Sequence, residues 1–165
     1  MLTTPHVLIG AVCGIASGYA CKASPSTALL VAFGCGFISH LILDLIPHHD
    51  QETYIDRKIS PGYLKFFCVL DIIVGVGILL YLLHFKPWST FHLAKWGAIC
   101  GTIIDVVDNV LGQHLCPWFG RTAVGEQIHR FHEFFHTRTS PRRWILGIAT
   151  QLASSFFGSI SLFLL

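Results

Sequence analysis

Residues 26–50, STALLVAFGCGFISHLILDLIPHHD, begin as an uninterrupted apolar run and acquire His40 and Asp44 only near its end. A helix needs about 20 mostly apolar residues to cross the hydrocarbon core of a bilayer, so this stretch predicts a membrane span. Ionisable side chains inside such a span are costly, and by default they indicate a functional site. The stretch therefore predicts a membrane-spanning helix with a functional site near its C-terminal end.

The composition of the whole chain agrees with a membrane protein. Its 165 residues are 53% hydrophobic and only 12% charged, whereas soluble domains carry about 25% charged residues. The mean hydropathy of +0.62 excludes a disordered chain. A net charge of +2 argues against a basic surface for binding nucleic acid. The hydrophobic composition instead indicates membrane lipids as the expected partners. None of the six cysteines forms a C-x-x-C pair, which argues against a disulfide framework or a zinc knuckle.

The apolar segments predict an all-α integral membrane protein, with residues 1–165 forming a single transmembrane domain. Five spanning helices are expected, at about 4–21, 26–46, 63–84, 93–111 and 144–165, and an interfacial amphipathic helix at about 126–137 before the last span. Eight of the eleven lysines and arginines fall on the side of the N-terminus in this topology. The excess of basic residues predicts a cytoplasmic N-terminus.

The ionisable residues of the predicted spans all lie near the cytoplasmic ends of their helices. They continue stripes of small residues, such as Gly36 before His40, which mark the close-packed faces of membrane helices. The side chains should therefore converge inside the bundle, and His and Asp are ligands of divalent metals. The predicted metal ligands are His6, His40, Asp44, His48, Asp71 and Asp105. Zinc is the expected ion, with manganese, magnesium and iron left open, and the ligand count suits one ion or a two-metal centre.

The segment at 126–137 has two distinct helical faces. His129, His132 and His136 share one face, and Phe131 and Phe135 share another. The phenylalanines are expected to enter the headgroup boundary and to turn the histidines toward the mouth of the bundle. The helix would then act as a lid over the site.

These features favour a metal-dependent membrane hydrolase that acts at the cytoplasmic face on a phosphate ester or lipid headgroup. Asp108 is the predicted base for the attacking water, and His132 and Glu133 are further predicted catalytic residues. Arg130 and Arg138 are expected to bind the substrate phosphate.

Three other interpretations of the same residues remain open. A metal-ion or proton transporter would use intramembrane His and Asp residues as its pathway. A membrane di-iron oxidase or hydroxylase would use histidine boxes, of which His48-His49 and His129-x-x-His132 are faint examples. The residues could also act only as hydrogen-bonding glue between helices.

The chain resembles the bacterial integral-membrane metal-dependent hydrolases, also known as the LexA-binding, inner-membrane-associated hydrolase family. Three elements carry the resemblance: Thr4-Pro5-His6 at the start of the first helix, the stretch from His40 to Asp50, and the histidine-containing stretch from His129 to Thr137. The order Pro47-His48-His49-Asp50 replaces the family's usual Pro-Asp-x-Asp-His. The resemblance implies a metal-dependent hydrolase in the bacterial inner membrane.

Overall fold

The structure, a computed structural model, describes residues 4–21, 24–48, 61–137 and 144–165. The described chain is all-helical. In chain order its elements are α1 (Thr4–Ala20), α2 (Pro25–Leu45), α3 (Pro61–Phe85), α4 (Trp88–Cys100), the short α5 (Ile103–Asp105), a π-helix (Val106–Leu115), the short α6 (Pro117–Gly120), α7 (Ala123–Phe135) and α8 (Trp144–Leu164).

Local sequence signals explain where the helices begin. Ser24 caps α2, because its hydroxyl accepts a hydrogen bond from the backbone N–H of Thr27, and Pro25 occupies the first turn, where no N–H is needed. Thr122 caps α7 in the same way through the N–H of Gly125. Each cap satisfies a backbone donor that the first helical turn leaves without a partner.

Helix α1 lies at the centre of the packing and contacts α2, α4 and α8. Its backbone meets that of α4 directly, because a Cβ atom added at Gly97 would lie only 2.1 Å from the carbonyl oxygen of Gly10. Buried Leu8, Ala11 and Ile15 fill the contact around this crossing. The side chain of Tyr19 donates a hydrogen bond to the carbonyl of Leu165, so α1 and α8 run in the same direction.

The prediction of five membrane-spanning helices is wrong. In the part of the chain that the structure describes, two helices are long and apolar enough to cross a bilayer, Pro25–Leu45 and Ile145–Leu164, and Val69–Leu82 is a shorter apolar helix. Helix α1 has 17 residues and is only about 26 Å long. The predicted fourth span breaks after Cys100 and continues into the π-helix. The two remaining candidate spans indicate association with a membrane.

The amphipathic helix is present, but it begins earlier than predicted. It covers Ala123–Phe135 instead of about 126–137 because Thr122 supplies the cap. The end of the π-helix and the short α6 lie between the predicted fourth span and the predicted amphipathic helix.

The crossing of α1 and α4 yields a test of the packing. Gly97→Ala should lower the free energy of unfolding by about 1–3 kcal/mol, because the new methyl group would meet the backbone of Gly10 and Gly14, which cannot rotate away. Gly34→Ala in α2 is the matched control, since nothing lies within 4 Å of its added Cβ. Thermal unfolding in detergent measures both variants. Equal midpoints for them would contradict this packing.

Candidate metal centre

Asp44 lies at the centre of a buried cluster of histidines and carboxylates. Its side chain is fully buried, near the C-terminal end of α2. Oδ2 lies 3.0 Å from Nε2 of His40 and 3.3 Å from Nε2 of His132, and Oδ1 lies 3.6 Å from Nε2 of His6. Helices α1, α2 and α7 thus each supply one imidazole to the same carboxylate.

His40 is held in one tautomer by a backbone group. Its Nδ1 lies 2.9 Å from the carbonyl oxygen of Gly101, which can only accept, so Nδ1 carries the hydrogen. Nε2, the other ring nitrogen, faces Asp44 and is the nitrogen that the neutral ring can offer to a metal. Metal-ligating histidines commonly donate their other ring N–H to a backbone carbonyl, as His40 does to Gly101. The carbonyl comes close because residue 101 is a glycine, whose Cβ would otherwise lie 2.8 Å from the carbonyl oxygen of His6.

His132 is clamped between carboxylates on both sides of its ring. Nδ1 lies 2.8 Å from Oδ2 of Asp108, while Nε2 faces Asp44 and lies 3.5 Å from Oδ1 of Asp105. Burial lowers the pKa of His132, but the hydrogen bond to Asp108 and the nearby carboxylates of Asp44 and Asp105 outweigh it and raise the pKa to about 10. The three carboxylates thus stabilise a positive charge here, whether an imidazolium or a metal ion carries it.

Asp108 connects the cluster to the surface. It accepts hydrogen bonds from His132 and from Nδ1 of His129, whose side chain is half exposed. Burial raises the pKa of Asp108, but the two histidine hydrogen bonds outweigh this effect and keep it below its ordinary value. Asp108 is therefore an ionised carboxylate that orients His132.

His48 and His136 form a second pair beside Asp44. Nδ1 of His48 lies 2.8 Å from the carbonyl oxygen of Ile46, and its Nε2 lies 3.0 Å from Nε2 of His136. The two rings meet edge to face, with centroids 4.6 Å apart. Burial lowers the pKa of His48, which favours the neutral imidazole that ligates metals.

The donor atoms of the cluster fit a metal ion. Within the described residues, buried atoms that make no hydrogen bond are concentrated here and include Nδ1 of His6, Nε2 of His40, both oxygens of Asp44, Oδ2 of Asp105 and Nε2 of His132. Buried polar atoms are normally hydrogen-bonded, so this concentration needs a partner. Three groups bring one ligand atom per residue within 4.8 Å of one another: His6 with His40 and Asp105, His40 with Asp44 and His132, and Asp44 with His48 and His136. These buried His/Asp groups can hold a metal ion.

Asp71, one of the predicted ligands, lies outside the cluster. Its carboxylate accepts hydrogen bonds from the backbone N–H and the hydroxyl of Thr4, and it belongs to none of the three groups. It therefore satisfies donors at the start of α1. His6, His40, Asp44, His48 and Asp105 are brought together.

The other predicted site residues are placed differently. Arg130 is 82% exposed, with its guanidinium 3.9 Å from Glu126, and Glu133 is part-buried next to His132. Arg138 lies outside the described residues. His132, predicted as catalytic, is a candidate ligand here, so α7 is part of the site and not a lid over it.

Two features of the site were missing from the predicted set. His136 was assigned to the histidine face of the helix but not to the ligands, although its four-residue spacing from His132 is a usable signal. The pairing of His129 with Asp108 joins residues 21 positions apart and has no local signal in the sequence.

A small, open pocket adjoins the cluster on the side of α8. His6 and His48 line it together with Thr150, Gln151 and Ser154. The hydroxyl of Thr150 donates a hydrogen bond to the carbonyl of Pro47, which attaches α8 to the turn that carries His48. The lining surface of the pocket is mostly apolar, and two of the cluster's histidines border it.

Comparison with known proteins identifies no relative of this chain. No protein-family model, no curated protein and no solved structure matches it. The chemistry of the site therefore rests on the cluster itself.

Asp44 and Asp71 have different neighbours, so replacing each of them with asparagine should have different effects. Asp44→Asn should abolish tight binding of a divalent metal, because it changes the carboxylate that the histidines surround. Asp71→Asn should retain the metal and lower the free energy of unfolding by about 1.5–3 kcal/mol, because it weakens a charged acceptor for Thr4. Elemental analysis and thermal unfolding measure the two effects. Metal loss in Asp71→Asn would show that Asp71 is a ligand after all.

Asp108→Ala distinguishes orientation of His132 from direct participation of Asp108. We expect metal affinity to fall by about 10–100-fold, because Nδ1 of His132 loses the carboxylate that fixes its ring. Competition titration against a chelator of known affinity measures the change. Unchanged affinity with a lost hydrolytic rate would instead support the base role predicted from the sequence.

Proposed function

We propose that this protein is a metal-dependent hydrolase of a membrane, acting on a phosphate ester or lipid headgroup. One observation carries the proposal: fully buried Asp44 is surrounded by the imidazoles of His6, His40 and His132. Both oxygens of Asp44 and the Nε2 atoms of His40 and His132 make no hydrogen bond within the described residues.

The residues divide into ligands and a positioning residue. His6, His40, Asp44, Asp105 and His132 would hold the ion, which would polarise the scissile group and lower the pKa of a water molecule beside it. Asp108 fixes the ring of His132 in the orientation that presents Nε2 to the centre. His129, half exposed and hydrogen-bonded to Asp108, is placed to exchange protons with solvent.

The substrate class follows from the surroundings of the cluster. Phe131 of α7 stacks on Phe37 of α2, which places the apolar face of α7 beside a helix that is long enough to cross a bilayer. Ile38 and Ile42 on α2 and Phe134 on α7 are more than half exposed. A polar centre next to such an apolar surface suits a substrate with a phosphate group at the membrane surface.

The distribution of buried charge favours hydrolysis over transport. Among the described residues, the buried histidines and aspartates all lie at the end of the bundle formed by the start of α1 and the end of α2. A transport pathway needs such groups through the whole thickness of the membrane. The resemblance to the inner-membrane hydrolases supports a location in the bacterial inner membrane.

The activity can be tested with purified protein in detergent micelles. Hydrolysis of p-nitrophenyl phosphate or of a phospholipid headgroup should require added zinc or manganese and stop with chelator. Asp44→Asn should lower the rate by about 100-fold or more. His92→Ala is the matched control, because His92 packs against Trp88 at the start of α4 and should keep the full rate. Metal-dependent ion flux in vesicles without hydrolysis of any phosphate ester would overturn the proposal in favour of transport.

A further inference from the structure

The three candidate ligand groups cannot be three independent metal sites. Two of them share His40, whose Nδ1 is bonded to the carbonyl of Gly101 and which therefore has one nitrogen to offer. A single nitrogen lone pair binds one cation, so these two groups describe one site. The third group shares only Asp44 with them.

Asp44 is suited to serve two ions at once. A carboxylate has two oxygens, and both oxygens of Asp44 are buried without a hydrogen bond among the described residues. Oδ2 faces His40 and His132, while the group with His48 and His136 lies within ligand distance of the same side chain. Carboxylate bridging of this kind is compatible with two-metal hydrolytic centres, whose ions lie about 3.5–4 Å apart.

The geometry of His48 and His136 also points to a shared ligand. The carbonyl of Ile46 accepts the hydrogen of Nδ1 of His48, so Nε2 of His48 presents a lone pair. In the structure this nitrogen accepts a hydrogen bond from Nε2 of His136 at 3.0 Å, so that a cation replacing this proton would have both nitrogens directed at it. Two nitrogens that bind one tetrahedral zinc ion at about 2.0–2.1 Å lie about 3.3 Å from each other, close to the observed separation.

The spacing of the ligands along the sequence supports the same assignment. His40, Asp44 and His48 follow one another at intervals of four residues, and so do His132 and His136. Each of the two segments thus supplies one histidine to the inner site and one to the outer site, and Asp44 lies between the sites.

We propose that the centre binds two metal ions: an inner ion at the site formed by His6, His40, Asp105 and His132, and an outer ion held by His48 and His136, with Asp44 as the ligand that both share. The outer ion lies on the side of the pocket that His48 lines with Thr150 and Gln151. This inference rests on the proposed metal-dependent function. It adds that a phosphate ester would be bound between two cations.

The test is the number of ions bound per chain. Full-length protein in detergent, stripped with chelator and titrated with zinc alone, should bind two ions by calorimetry and elemental analysis. His48→Ala and His136→Ala should each bind one, and His92→Ala should still bind two. His136→Gln provides a milder variant, and thermal unfolding confirms that each variant is folded.

Each outcome distinguishes the second ion from the function as a whole. With manganese, a bridged pair should give an exchange-coupled electron paramagnetic resonance signal that is lost in His136→Ala. One ion in the wild type, unchanged in His48→Ala and His136→Ala, would overturn the second site, leave the hydrolase proposal intact and identify the two histidines as a hydrogen-bonded pair. No bound ion in the wild type would overturn both proposals.

Discussion

The burial of Asp44 is the constraint on which the arrangement of the helices depends. An ionised carboxylate removed from water costs several kcal/mol unless opposite charge and hydrogen-bond donors replace the solvent. Asp44 is fully buried, and its compensation comes from imidazoles on three separate helices. The start of α1, the end of α2 and the inner face of α7 must therefore meet at one point. A backbone hydrogen bond from the N–H of Thr137 to the carbonyl of Asp44 attaches the segment after α7 at the same place.

The sequence predicted the position of the candidate site along the helices better than it predicted the helices themselves. The spacing of His40 and Asp44 along a stripe of small residues correctly anticipated that these side chains point into the bundle, because a helical face follows from periodicity alone. Asp71 followed the same pattern and yet binds Thr4, because the start of α1 needs an acceptor that no periodicity in α3 encodes. The number of spans was overestimated because hydropathy counts apolar residues and does not register a break such as that after Cys100.

For α7, the sequence pattern assigned the two faces of the helix correctly but did not show what each face contacts. Its two faces were assigned from the helical period, and His132 is indeed almost fully buried while Phe131 remains partly exposed. What the pattern could not supply was the neighbour of each face. Phe131 stacks on Phe37, so the rotation of the helix is fixed by protein contact as well as by any lipid, and this rotation carries His132 inside the cluster. Packing of the apolar face of α7 against α2 thus places His132, a candidate ligand, inside the cluster.

The π-helix that follows α5 carries Asp108, which contacts a different nitrogen of the His132 ring from Asp105. Asp105 and Asp108 lie three residues apart, and they approach opposite nitrogens of His132, Nε2 and Nδ1. π-Helical segments are rare, are mostly single turns within α-helices and are often found at functional sites. Here the π-helix extends over ten residues, and the N–H of Cys116 continues the i→i+5 pattern by bonding the carbonyl of Leu111. This rare helical geometry lies next to the ring of His132. Nδ1 of that ring bonds Asp108, and Nε2 faces the centre.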